Sequence, residues 1–180
     1  MKNLILLIAL LFTFTISAED LVFKLDGKVI KSFPYKALNT GEVSSNKRYV
    51  GSVDKTIFNP LKGYERTYRG FDLYEMLDVV YGNSWREAKT IKFHALDNYK
   101  QITSVKKMLE EAGQSKRGYI SYKETGKRGI ERFSTYIRNG KKVILGPYYL
   151  IWSGFKRGDK ISGRDHLKWP YQLKTVEISK

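Results

Sequence analysis

No cysteine occurs anywhere in these 180 residues, and that absence removes most of the devices by which a chain can be stapled. Disulfides, thiolate zinc sites, iron–sulfur clusters and covalently attached haem are out of reach, and so is a thiolate nucleophile. The chain must hold itself together by packing alone. Its length permits that, since it suits one domain able to bury a core of its own.

The N-terminus bears on where that domain works. Lys2 precedes an almost wholly apolar run over 4–16, broken only by Thr13 and Thr15, and Ser17-Ala18 then stand before Glu19-Asp20. A cation, a short apolar stretch and a small-residue site make the layout of a secretory signal peptide. The expectation is a signal peptide over 1–18 and a single domain over 19–180, periplasmic or secreted. The competing reading is an uncleaved anchor, although the apolar run falls short of the roughly 20 residues that a membrane span needs. No cysteine follows it to carry a lipid, and no later segment is apolar enough to span.

Charge narrows the choice of partner. Lys and Arg number 33 against 18 Asp and Glu, a net +15. Between residues 100 and 160 the count is 15 against 5, so much of the excess lies there. For an exported protein the acidic partners are lipid head groups, wall polymers or an acidic protein such as an electron carrier, rather than nucleic acid. The plainer reading is a solvated, lysine-rich surface without a partner.

Local patterns give the elements. Residues 21–25 and 29–33 flank Asp26-Gly27-Lys28 as a hairpin about an Asp-Gly turn. Residues 34–38 suit one helical turn, 41–47 a loop, and 48–58 a strand ended by Asn59-Pro60. Asp72 is placed as a helix N-cap, with Leu73, Met76, Leu77 and Val80 at helical spacing and Gly82 closing. Residues 90–96 alternate, with Ile91, Phe93 and Ala95 on one face. Ser104 caps a second helix that turns Val105, Met108, Leu109 and Ala112 inward and ends at Gly113. Residues 119–122 read as a short strand. A second hairpin pairs 133–138 with 141–145 about Asn139-Gly140, and 148–152 and 173–178 are the last strands. Together these predict an α+β domain with mixed sheets of short strands and two or three helices.

The order of several phrases resembles a known family. They are Tyr68-Arg69-Gly70-Phe71-Asp72-Leu73-Tyr74-Glu75-Met76-Leu77, then Phe93-His94-Ala95-Leu96-Asp97-Asn98-Tyr99. Arg138-Asn139-Gly140-Lys141 with Gly146-Pro147-Tyr148-Tyr149-Leu150-Ile151-Trp152 follows, and Lys168-Trp169 with 173–178 closes the series. Order and spacing are similar to the sulfite oxidase-type molybdopterin-binding domain of molybdopterin-dependent oxidoreductases, over nearly the whole of 21–180. The resemblance implies that family's fold. The family's molybdenum enzymes hold the metal through a cysteine near where Thr56-Ile57-Phe58-Asn59 stands, and Phe or Asn cannot replace a soft thiolate. Tyr149 also stands where many members carry Arg. The resemblance therefore implies a cofactor-poor member, with no cofactor expected and molybdopterin as the alternative.

Candidate residues fall into two groups. Arg48, Arg66, Arg69, Arg164 and His166 are candidate anion or pterin contacts, because guanidinium forks suit phosphate and carboxylate. The competing role for the arginines is pairing with Glu65, Asp72 or Asp165. Trp152, Lys156, Arg157, Lys160, Lys168 and Trp169 are candidate partner contacts, since cations interleaved with aromatics grip acidic surfaces. Here the competing reading puts the aromatics in the core and leaves the cations in water. His94, His166, Asp97 and Asp165 are all that could be assembled towards a metal, and no metal is expected. No phosphate loop, nucleophile elbow or paired-acid motif is present.

Three functional expectations follow. The first is an exported molybdopterin-oxidoreductase-like domain without molybdenum catalysis, serving as a binding or accessory module for an acidic, redox-type partner. The second is a periplasmic oxidoreductase that holds molybdopterin without cysteine ligation. The third is a protein that binds envelope lipid or polymer.

Overall fold

A computed structural model describes Ser17 and residues 19–45, 48–113, 115–126, 129–133, 135–138, 140–159, 161 and 167–180. The chain begins with β1 (Leu21–Leu25), β2 (Lys28–Phe33) and the single turn α1 (Tyr35–Leu38). Next come β3 (Glu42–Ser45), β4 (Arg48–Gly51), β5 (Val53–Asn59) and β6 (Tyr64–Asp72). Helix α2 (Leu73–Tyr81) and a 3₁₀ segment (Gly82–Glu87) lead to β7 (Thr90–Ala95), β8 (Lys100–Ser104) and α3 (Val105–Gly113). The rest is strand: β9 (Gly118–Gly126), β10 (Gly129–Glu131), β11 (Tyr136–Arg138), β12 (Lys141–Val143), β13 (Tyr149–Trp152) and β14 (Leu173–Ser179).

The architecture is α+β, with two principal sheets. In the first the order is β2-β1-β14-β7-β8. The C-terminal strand β14 slots between β1, to which it runs parallel, and β7, to which it runs antiparallel. In the second the order is β10-β9-β6-β5. Strand β13 pairs with residues 118–121 of β9 on the edge opposite β6. One apolar core joins residues from both sheets and all three helices.

Local chemistry explains the elements that were foreseen. Asp26 and Gly27 both take positive φ (46° and 83°), the pair of values that a two-residue type I′ hairpin turn needs. The Asp72 carboxylate accepts from the Tyr74 and Glu75 backbone amides at 2.9 and 3.3 Å and starts α2 as an N-cap. Gly82 ends it at φ 65°. Leu73, Met76, Leu77 and Val80 are buried as their spacing requires, and Tyr74 and Val79 are buried too. The Tyr74 hydroxyl donates to the Met108 carbonyl at 2.9 Å and ties α2 to α3. On β7, Ile91, Phe93 and Ala95 all face the core.

Other expectations are corrected. Part of the 41–47 loop is strand β3, which pairs with β4. The single strand expected over 48–58 is broken at Ser52, whose amide donates to the Gly41 carbonyl at 2.6 Å, so β4 and β5 lie in different sheets. Strands β6 and β8 were not anticipated. The hairpin expected over 133–145 shrinks to β11 and β12, because Phe133 turns inward to pack edge-on against Tyr149 and Leu145 is buried. Among the described residues no helix is long and apolar enough to cross a membrane. The expected signal segment lies outside the described residues, apart from Ser17.

Candidate functional site

A cleft of about 260 Å³ opens where the β7–β8 turn meets the chain before β14. Asp97 and Tyr99 line it from the turn, Lys168, Trp169 and Tyr171 from the returning chain, and Leu61 from the β5–β6 connection. The turn is rigid for local reasons. Asn98 takes φ 68°, which Asn tolerates better than most residues. The Asp97 carboxylate accepts from the Tyr99 amide at 3.0 Å, and the Ala95 amide donates to the Tyr99 carbonyl at 2.9 Å.

Behind the cleft lies a buried polar and aromatic wall. Trp169 packs on Tyr149 with ring centroids 5.9 Å apart, and Tyr149 meets Tyr68 edge-on at 6.1 Å. Asn59 is fully buried, and its amide nitrogen donates to the Tyr68 and Tyr149 hydroxyls at 3.2 and 3.3 Å. Its carbonyl oxygen accepts from the Leu61 amide at 3.0 Å, which brings Leu61 to the rim. Burial pushes the Tyr68 phenol up to about 12. Opposite Tyr68 on β9 sits Glu124, a buried carboxylate held by Arg66 at 2.8 Å. Burial draws the Lys62 ammonium below its usual range, and nearby Glu124 opposes that shift. The buried indole nitrogen of Trp169 has no hydrogen-bond partner among the described residues.

Beside this wall runs a basic loop that follows β13. Ser153 anchors it: its amide donates to the Arg117 carbonyl at 2.8 Å, and its hydroxyl oxygen accepts from the Arg117 amide at 3.0 Å. Phe155 then meets Trp169 edge-on at 5.9 Å, and Lys116 lies over the Phe155 ring at 5.3 Å. Asp159 closes the loop by accepting from the Lys156 amide at 2.9 Å. Lys156 and Arg157 are thereby presented to solvent on a braced segment next to Lys116 and Arg117. The neighbours are already engaged, Lys116 with Glu111 at 3.1 Å and Arg117 with Asp72 at 2.7 Å.

The expected anion contacts do not converge. Arg48 donates to the Asp78 carbonyl at 3.2 Å, Arg66 holds Glu124, and Arg69 forks onto Asp54 through two bonds of 2.7 Å. None of the three lines the cleft, where the cation among the described residues is Lys168. Arg164, His166 and Lys160 lie outside the described residues. Trp152 is fully buried, with its indole nitrogen donating to the Lys168 carbonyl at 2.8 Å, and Trp169 is 5 % exposed. Enclosed indoles cannot grip a partner's surface, so the two aromatics brace the loop, and of the candidate partner contacts Lys156 and Arg157 are the ones exposed to solvent. Of the wall residues, Asn59 enters the sequence reading only as a strand end and within the resemblance, Tyr68 only within the resemblance, and Glu124 not at all. For Glu124 no local signal existed, because residues 118–122 before it are all buried and show no alternation.

The residues where the resemblance places a metal-ligand cysteine do not suit molybdenum. Thr56 shares a 2.8 Å hydrogen bond with Thr67 at the surface, Ile57 is buried, and the Asn59 amide is spent on two tyrosines. A carboxamide or a hydroxyl is no substitute for a soft thiolate. Among the described residues no group of three or more His, Asp or Glu is placed to hold a metal ion. His94 lies 3.5 Å from Glu177, and burial, ahead of the neighbouring charges, draws its imidazole below the usual range.

No protein-family model matches the chain, and no curated protein is significantly similar to it.

Proposed function

We propose that this chain is an exported domain of the sulfite oxidase type that performs no molybdenum chemistry and works as a binding module for an acidic protein, an electron carrier by class. The observation that carries the reading is the braced basic loop. Lys156 and Arg157 stand exposed, without an ion pair among the described residues, on a segment fixed by Ser153, Phe155 and Asp159. Ordering a long cationic loop on binding costs conformational entropy, and a loop already held by its own ring contact and hydrogen bonds avoids much of that cost. The uneven charge of the chain, 15 cations against 5 anions over 100–160, favours fast encounter with an acidic surface.

The resemblance gains support from where its phrases fall. Asp97 and Tyr99 of one phrase and Lys168-Trp169 of another, distant in sequence, border one cleft, and Leu61 beside the expected ligand position borders it as well. A cleft bordered by these phrases that lacks both thiolate and arginines among its described lining fits a domain kept for its surface.

The test is interferometry against immobilised acidic cytochromes and flavodoxins, with wild type and the double variant Lys156→Glu/Arg157→Glu. The reading expects saturable binding that weakens steeply between about 50 and 200 mM salt and drops at least tenfold in the variant. Binding to anionic vesicles with no response to any acidic protein would replace it with the envelope-surface reading. Binding indifferent to both salt and charge reversal would refute it.

A further inference from the structure

A second cavity, of about 280 Å³, lies away from the basic loop, among α1, β9 and the segments that flank the β11–β12 hairpin. Tyr35, Tyr122, Phe133, Ile144 and Pro147 wall it, so its interior is chiefly apolar. A charged group is set into this wall. The Arg132 guanidinium lies over the Tyr35 ring, 4.3 Å from the centroid, and its Nε donates to the Tyr35 hydroxyl at 3.0 Å. Ring contact and hydrogen bond together hold the guanidinium against Tyr35. Among the described residues no carboxylate pairs with it. Glu19 lines the same cavity and forms no ion pair with Arg132. Next to Tyr35, with rings 5.8 Å apart, the buried Tyr148 hydroxyl lacks a hydrogen-bond partner among the described residues.

We infer that this cavity binds a small monocarboxylate with an aromatic or branched apolar body, its carboxylate on Arg132 and its body against Tyr122, Phe133 and Ile144. A planar fork held in place matches a carboxylate in two parallel hydrogen bonds, which a point-like ammonium would not. The volume sits at the bottom of the range of about 300–1,000 Å³ usual for ligand sites, so the body is about the size of one ring with a short arm. Glu19 sets the charge limit: a second anionic group on the ligand would meet its carboxylate. The cavity shares no lining residue with the basic loop, and a ligand here stands or falls independently of the partner proposed above.

Calorimetry on the full domain tests this with 3-phenylpropanoate, its amide, and phenylsuccinate. The acid is expected to bind saturably, at least about tenfold more tightly than either the amide or the dicarboxylate. Arg132→Gln should abolish the preference for acid over amide while the variant stays folded by circular dichroism, since Arg132 is exposed and its loss removes only the contacts to Tyr35. Arg132→Lys, which keeps the charge but loses the fork, should recover only part of the affinity. Equal binding of acid and amide, acid binding undiminished in Arg132→Gln, or no saturable binding of the acid at millimolar concentration would each overturn the inference.

Discussion

Asp72 carries two jobs with one carboxylate, and separating them tests how the β6–α2 junction is held. One oxygen caps α2 through the Tyr74 and Glu75 amides, and the other takes the Arg117 guanidinium at 2.7 Å. Asp72 is itself buried. Removing an N-cap costs about 1 kcal/mol, and leaving a buried backbone amide unsatisfied adds about 1 kcal/mol. Arg117 is 43 % exposed, so the ion pair is screened and contributes at most about 0.5 kcal/mol. Asp72→Ala should therefore lose about 2 to 2.5 kcal/mol, a fall of about 4–10 °C in midpoint for a domain of this size. Asp72→Asn keeps an acceptor for the helix and should lose about 0.5 kcal/mol, as should Arg117→Met. Urea unfolding followed by far-ultraviolet circular dichroism measures all three. If Asn proves as damaging as Ala, the ion pair and not the cap secures the junction, and the reasoning fails. An Ala variant as stable as wild type would refute both terms.

Other expectations follow from the same contacts. Gly70→Ala places a methyl 2.5 Å from the Ile120 carbonyl oxygen and 2.6 Å from the Ser121 Cα, both backbone atoms, so a loss of about 2–3 kcal/mol or failure to express folded is expected in solubility and urea assays. Asn59→Ala withdraws the buried donor from both tyrosine hydroxyls and should cost about 2 kcal/mol in urea titration. His94 is drawn below its ordinary 6.5, so the unfolded chain binds its proton first on acidification. The His94 contribution is then whole above pH 6.5 and is lost as pH falls through the lowered native value, and His94→Gln should flatten that part of a stability-against-pH curve. Burial raises the Tyr68 phenol to about 12 and also raises Tyr74, Tyr81 and Tyr148. Their contribution holds below pH 10 and fades as pH climbs above it, so spectrophotometric titration should show late tyrosinate formation that coincides with alkaline unfolding.

What was legible in the sequence was what short-range chemistry decides. The Asp26-Gly27 turn, the Asp72 cap and the Ile91, Phe93 and Ala95 face all announce themselves within a few residues. Strand partners do not. That β14 lies between β1 and β7 is settled by packing across the length of the chain, and β6 hides its strand character behind Glu65, Arg66 and Arg69 on a half-exposed surface. The cleft was legible only in fragments. Asn59 reads as a turn residue until Tyr149, 90 positions later, supplies the hydroxyl that makes it a core hydrogen bonder. Trp152 and Trp169 illustrate the opposite error: an aromatic beside lysines looks like a binding surface, yet a large apolar ring gains more from the core than from water.

The central proposal is that this α+β domain works by binding, with no molybdenum centre. It is tested most directly on protein purified from its native host, by elemental mass spectrometry together with a fluorescence assay for released pterin. The account predicts molybdenum, tungsten and pterin all far below one per chain, in a preparation that still binds an acidic redox protein through Lys156 and Arg157. Near-stoichiometric molybdenum or tungsten with pterin would contradict it and make the protein an oxidoreductase with a ligand other than cysteine.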